Sequence, residues 1–271
     1  MALSDDSPVP DYAGMLRLDG RGVAIIGAGQ GIGRQAAHAA AALGAKVACI
    51  DIELERAQSV ANEVGGSAHA GDATDSADMP RVIGEAADAL GKLEALVDIV
   101  GMPRYRPILG LSDEDWDFQH DMTLRQAFHA MREGGKLMAE TGGEAMAFVA
   151  SVSGIAGAPG HAGYGAAKAG LISLVRSAGA EMARHNIRVN AVAPGLIYTP
   201  RIAASRSEDT LAGAIASIPM RRIGQPSDIA SALMFLISDL SSYMTGQTIT
   251  IDGGATSGFP IDMGSAPRPS D

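Results

Sequence analysis

The sequence predicts a single α/β domain: one sheet of about seven parallel strands with helices on both faces. Three observations carry this expectation. Seven short apolar or β-branched runs recur between residues 23 and 252, separated by longer Ala-rich stretches of helical composition. Strands that alternate with helices join in parallel through crossovers. The runs also lack the period-two alternation of a half-exposed sheet, so both of its faces are expected to be covered.

Residues 1–17 are polar and contain prolines, and they read as a loose tail. The strand candidates are then VAIIG at 23–27, VACID at 47–51, SAHAG at 67–71, ALVDIV at 95–100, AMAFVAS at 145–151, IRVNAVA at 187–193 and QTITID at 247–252. Punctuation places the helices between them. Gly44 and Gly91 follow two helical stretches as C-terminal stops, Ser112 precedes another with Asp115 three residues on, and Pro226 suits a first helical turn. The domain is expected to span 18–257, including a substrate lid at about 196–223, with a C-terminal tail at 258–271.

A formal net charge of -10 argues against nucleic acid and anionic membrane surfaces, which would repel the chain. A small-molecule partner is expected. The single cysteine, Cys49, lies in the apolar run VACI, as a small core residue in a reducing compartment would. The first residues carry Asp5, Asp6 and two prolines where an export signal needs a basic start and an apolar core, so a cytoplasmic location is expected. No apolar run approaches the roughly 20 residues of a membrane-spanning helix. The histidines, His120 and His129 among them, are too scattered for metal-ligand spacing, and no metal is expected.

Two stretches carry chemistry. GAGQGIGR at 27–34 follows the first strand and opens a helix. Gly27, Gly31 and Gly33 allow a sharp turn and close approach to a pyrophosphate, and Gln30 and Ile32 lie between them at the helix N-terminus. Asp51 ends the second strand eighteen residues past Gly33, near the spacing at which an acidic residue meets the adenosine ribose. A carboxylate there repels a 2′-phosphate, so NAD is favoured over NADP. A solvated strand-end Asp is the plainer alternative. Asp72, with Ala73 after it, ends the third strand and is a candidate for the adenine amino group. The second stretch is SVSGIAGAPGHAGYGAAK at 151–168, where Tyr164 and Lys168 stand four apart on one helix face and Ser151 leaves a strand.

With these motifs in order, the chain resembles the short-chain dehydrogenase/reductase family, a Rossmann-like doubly wound fold, over about 18–254. Further carriers are RVNAVAPG at 188–195, Thr199, and TGQTITIDGG at 245–254. The resemblance implies an NAD-dependent enzyme interconverting a secondary alcohol and a ketone. In it Tyr164 is the general acid/base, Lys168 lowers the phenol's pKa and holds the nicotinamide ribose, and Ser151 bonds the substrate oxygen. It also implies that Gly101, Pro194, Gly195, Ile197 and Thr199 flank the nicotinamide, and that the protein is a homotetramer or homodimer paired through helices 113–140 and 163–185.

Three positions depart from the family pattern. Ile26 replaces a threonine before the first glycine. Asp98, Ile99, Val100 and Gly101 stand where NNAG is usual, and Thr123 stands at the position of an active-site asparagine that helps hold a proton-relaying water chain. These losses keep open a second reading, a dinucleotide-binding protein without turnover that serves as a sensor or scaffold. For the substrate pocket the candidates are Arg104, Ile155, His161 and Tyr198. Arg104, Arg106, Arg201 and Arg206 are candidates for pairing with a carboxylate or phosphate, or else are solvated arginines.

Overall fold

The computed structural model describes residues 8–258. Seven strands form one parallel sheet in the order β3-β2-β1-β4-β5-β6-β7. They are β1 (Gly22–Ile26), β2 (Lys46–Asp51), β3 (Ser67–Ala70), β4 (Ala95–Asp98), β5 (Ala145–Val149), β6 (Arg188–Pro194) and β7 (Thr248–Ile251), and each of the seven expected runs contributes one. Every neighbouring pair is parallel. β1, β4 and β5 are buried along their whole length, which is why their sequences show no alternation.

Helices cover both faces. α1 (Gly31–Ala42), α2 (Leu54–Val64) and α9 (Pro226–Ile237) pack on one side, where Ala36, Val60 and Leu233 join Val23 and Ile25. α3 (Asp78–Leu90), α5 (Gln126–Thr141) and α6 (Ala162–Met182) pack on the other, where Val82, Ala130 and Val175 join Ala24 and Ile26. Alternate residues of one strand thus feed two cores. The helix signals operate as read: Ser112 accepts from the N–H of Asp115 at 3.1 Å to start α4 (Asp113–His120), Gly91 closes α3 in the left-handed region, and Pro226 opens α9.

Two stretches differ from expectation. The long segment after Ser112 is helical throughout, as expected, but carries a π-turn at Asp121–Arg125 between α4 and α5. Within 1–17, expected as loose tail, Gly14–Leu16 forms a 3-10 turn near Asp239–Ser241. Residues 196–223, expected as a lid, hold two helices, α7 (Pro200–Ser205) and α8 (Glu208–Ser217), neither with a buried residue. Of the expected C-terminal tail, 259–271 lies outside the described residues. Cys49 is fully buried in the core, and burial pushes its thiol up to about 12, so it is inert. No described helix is long and apolar enough to cross a membrane.

The strand order reverses between β1 and β4. In an open parallel sheet this is where the loops beyond the carboxyl ends diverge and leave a crevice.

Candidate active site

The glycine-rich segment is the turn between β1 and α1. A Cβ on Gly33 would overlap the carbonyl oxygen of Gly27, so only glycine lets the helix begin this close to the strand end. Gln30, at the N-cap, makes no side-chain cap hydrogen bond, so no capping side chain competes for the first N–H groups of α1. Asp51 closes one end of this turn: its Oδ2 accepts from the N–H of Gly29 at 2.9 Å and its Oδ1 from that of Glu53 at 3.2 Å. Asp72 is partly engaged by its own turn, accepting at Oδ1 from the N–H and hydroxyl of Thr74 at 2.9 and 2.7 Å.

One cavity of about 920 Å³ joins this end to the tyrosine. Asp51, Asp72 and Ala73 line one part of it, Gly27, Gln30, Gly31 and Ile32 the middle, and Ser151, Tyr164 and Lys168 the other part, with Gly101, Pro194, Gly195, Ile197 and Thr199 along the walls. Gly33 and Thr123 stand behind that lining. The glycine turn, the helix terminus and the carboxylate at the end of β2 suit a dinucleotide in shape and charge.

Tyr164 and Lys168 share one face of α6, with the Lys168 Nζ 5.7 Å from the tyrosine ring centroid. Lys168 is 1 % exposed, and its Nζ donates to the carbonyl of Val149 at 2.6 Å. Burial raises the pKa of the Tyr164 phenol, Tyr105 raises it further, and Ser151 and Arg201 pull it down. The lowering comes from a hydroxyl and a guanidinium, and the expected lysine is not among its causes. Burial pushes Lys168 down to about 8, with Asp98 opposing that shift. A Cβ on Gly101 would stand 2.9 Å from the Lys168 Nζ and 3.9 Å from the Thr123 Oγ1, so Thr123 does face the lysine's surroundings. Thr123 lies in the π-turn, is fully buried, and has no hydrogen-bond partner for its hydroxyl among the described residues. Such turns recur at functional sites.

On the substrate side only part of the expected set converges. His161 lines the cavity, accepts or donates a 2.8 Å hydrogen bond with Ser153, and stacks on Tyr105 at 4.4 Å. Ile155 and Tyr198 do not line the cavity and are 51 and 44 % exposed. Arg104 does not line it either: Asp115 at 3.0 Å and the Phe118 ring at 3.6 Å draw its guanidinium toward α4. Arg106 is paired with the same Asp115 at 3.3 Å. Arg201 and Arg206 do line the cavity and make no salt bridge with a described residue. Sequence reading missed Tyr105, which meets Tyr164 edge-on at 6.5 Å, and Arg56, which lines the cavity near Asp51. Tyr105 lies between Arg104 and Arg106, which were already considered for the substrate, and an aromatic there was the available signal.

A sheet that reverses beside a glycine turn, with Ser, Tyr and Lys opening into the same cavity, defines a class of nicotinamide-dinucleotide oxidoreductases acting on CH–OH and carbonyl groups. The chain belongs to the short-chain dehydrogenase/reductase family: a family model described as enoyl-(acyl carrier protein) reductase matches residues 27–256. It is 35 % identical to the 3-oxoacyl-[acyl-carrier-protein] reductase FabG of Thermotoga maritima over 244 residues, covering 88 % of this chain and 99 % of that one. It is 36 % identical to the galactitol 2-dehydrogenase (L-tagatose-forming) of Cereibacter sphaeroides, covering 91 % and 99 %. Among solved structures, a 7α-hydroxysteroid dehydrogenase complexed with NADH and 7-oxo glycochenodeoxycholic acid superposes with a TM-score of 0.84 at 32 % identity, covering 90 % and 97 %.

Proposed function

We propose that the protein is an NAD(H)-dependent oxidoreductase interconverting a secondary alcohol and a ketone, with Tyr164 as general acid/base. The observation that carries this reading is the shared cavity, which holds Asp51 near one end and Ser151, Tyr164 and Lys168 near the other. Asp51 favours the unphosphorylated ribose, since its carboxylate accepts from ribose hydroxyls and repels a 2′-phosphate. The NADH complex of a structural neighbour supports the same cofactor, and relatives named as sugar-alcohol dehydrogenases support the alcohol chemistry.

The dinucleotide, when bound, supplies the carbon that accepts or gives up the hydride. Gly27, Gln30, Gly31 and Ile32 hold its pyrophosphate, Asp51 its adenosine ribose, Asp72 and Ala73 its adenine, and Gly101, Pro194, Gly195, Ile197 and Thr199 its nicotinamide end. Ser151 hydrogen-bonds the substrate oxygen where charge develops. Tyr164 takes the proton from the alcohol, or returns it to the carbonyl, and Lys168 stabilises the phenolate. The pocket wall of Met102, Tyr105 and Ile202 suits a moderately apolar substrate.

A spectrophotometric panel of secondary alcohols, run with NAD and NADP in parallel, tests cofactor, class and substrate together. No turnover with any alcohol or ketone would favour the second reading, dinucleotide binding without chemistry, which rests on Thr123 and the altered strand-four motif. Tyr164→Phe separates the two: an enzyme loses turnover and keeps binding, whereas for a sensor no readout changes. The reading also includes a cytoplasmic homodimer or homotetramer. Exposed Trp116 and Phe128, on the helical segments expected to pair, support assembly, and light scattering measures it.

A further inference from the structure

Asp98 is the last residue of β4, at the reversal of the sheet. Its register partners, Ile26 on β1 and Phe148 on β5, both belong to the core beneath α3, α5 and α6, so its side chain points toward those helices. It is 2 % exposed. Oδ1 accepts from the N–H of Val100 at 2.9 Å, and Oδ2 has no hydrogen-bond partner among the described residues. Gln126, fully buried at the start of α5, closes the same space: its Nε2 donates to the Val100 carbonyl at 3.1 Å. Lys168 reaches in from α6, its Nζ on the carbonyl of Val149, the residue after Phe148.

An ammonium and a carboxylate each withdrawn from water are costly alone and tolerable together. We propose that Asp98 is a positioning residue of this site: from the end of β4 its carboxylate is the buried counter-ion that keeps Lys168 an ammonium beside Tyr164. The role rests on the proposed chemistry for its use, whereas the burial of both charges in one space, without a direct salt bridge between them, stands without it. An asparagine here would fill the same volume and leave Lys168 facing only neutral acceptors. Burial pushes the Asp98 carboxyl up and the Lys168 ammonium down, and each shift is partly opposed by the other's charge. The other titratable or charged groups around the pair are Tyr164 on α6, His129 three residues beyond Gln126 on α5, and Arg201, whose Nη1 donates to the Gly101 carbonyl at 3.3 Å. β1, β5 and the π-turn bring Ile26, Val149 and Thr123, none of which titrates.

The sign is definite. Removing a fixed negative charge lowers the proton affinity of every neighbouring group, so Asp98→Asn makes Lys168 easier to deprotonate. The chain has four lysines, Lys46, Lys92, Lys136 and Lys168, which suits NMR of lysine labelled with carbon-13 at Cε. The Lys168 signal is identified by its loss in Lys168→Met. In the wild type burial holds its midpoint below the ordinary lysine range, and in Asp98→Asn the midpoint falls further, by about one pH unit or more. Asp98→Ser repeats the charge change should Asp98→Asn fold poorly. An unchanged or raised midpoint in a folded variant overturns the proposal. The measurement needs neither substrate nor turnover, so a failed search for an enzymatic activity leaves it intact. Where a substrate is found, the alkaline limb of kcat/KM, where the ammonium is lost, moves to lower pH in Asp98→Asn, and a limb that stays put would show that the two charges do not act together on the chemistry.

Discussion

Gly29 donates its backbone N–H to Oδ2 of Asp51 at 2.9 Å, a bond that ties the glycine turn between β1 and α1 to the end of β2. Arg56, whose Nε pairs with Glu53 at 2.9 Å, lines the cavity beside that carboxylate. Asp51→Ser is expected to weaken NAD binding about ten- to a hundredfold, because a hydrogen bond to a charged group contributes about 1.5–3 kcal/mol and about 1.4 kcal/mol is tenfold. NADP binding is expected to improve, since Arg56 then meets a 2′-phosphate without a carboxylate opposing it. Calorimetric titration with each dinucleotide checks the ratio, and an unchanged ratio would remove Asp51 from cofactor choice.

Gly101 leaves the space that the Lys168 side chain enters. A Cβ there would sit 2.9 Å from Nζ, against an ammonium already held by Val149, so the lysine must move away from its carbonyl. Gly101→Ala is expected to lower kcat by about a hundredfold, the cost of a misplacement on the order of 1 Å in an active site. Steady-state rates set beside thermal unfolding distinguish this from general destabilisation, and a wild-type rate would show that the lysine's placement is not limiting.

Thr123 stands behind Gly101 with an unpaired, buried hydroxyl. Thr123→Asn restores an amide at that position in the π-turn, and it is expected to leave the rate similar or raise it. The acid, its neighbouring cation and the cofactor turn are untouched, so the change bears on proton exchange with solvent. A collapse in kcat with dinucleotide binding intact would mean that this site moves its proton along a different arrangement.

The four arginines considered for an anionic substrate divide into two pairs. Arg104 and Arg106 share Asp115, and Arg104 also pairs with Glu114 at 3.5 Å, whereas Arg201 and Arg206 line the cavity without an acidic partner among the described residues. Arg201→Ala and Arg206→Ala are expected to raise KM for a substrate bearing a carboxylate or phosphate by about tenfold each, the worth of one charge-assisted hydrogen bond. Arg104→Ala is expected to leave KM alone. Equal KM values in all three variants would mean that the substrate is uncharged.

What the sequence determined by itself is local and periodic. Seven short runs, unalternating at the centre of the sheet in β1, β4 and β5, defined a sheet covered on both sides, and glycines and caps at fixed offsets marked where helices start and stop, because both effects act within a few residues. Position four apart was enough to set Tyr164 and Lys168 on one face of α6, and the place of GAGQGIGR after the first strand was enough to mark the dinucleotide turn.

The tertiary structure decided which distant side chains meet. Asp98 read as a lost amide in a strand-end motif, yet its register with Ile26 and Phe148 turns a carboxylate toward a lysine seventy residues away. Arg104 read as a pocket residue, yet Asp115 and Phe118 on α4 draw it out of the cavity. The long helix after Ser112 carries a π-turn that composition does not encode. Pairings of this kind depend on which face of a strand or helix meets which neighbour. That choice is made by packing across the whole domain, and no short stretch of sequence carries it.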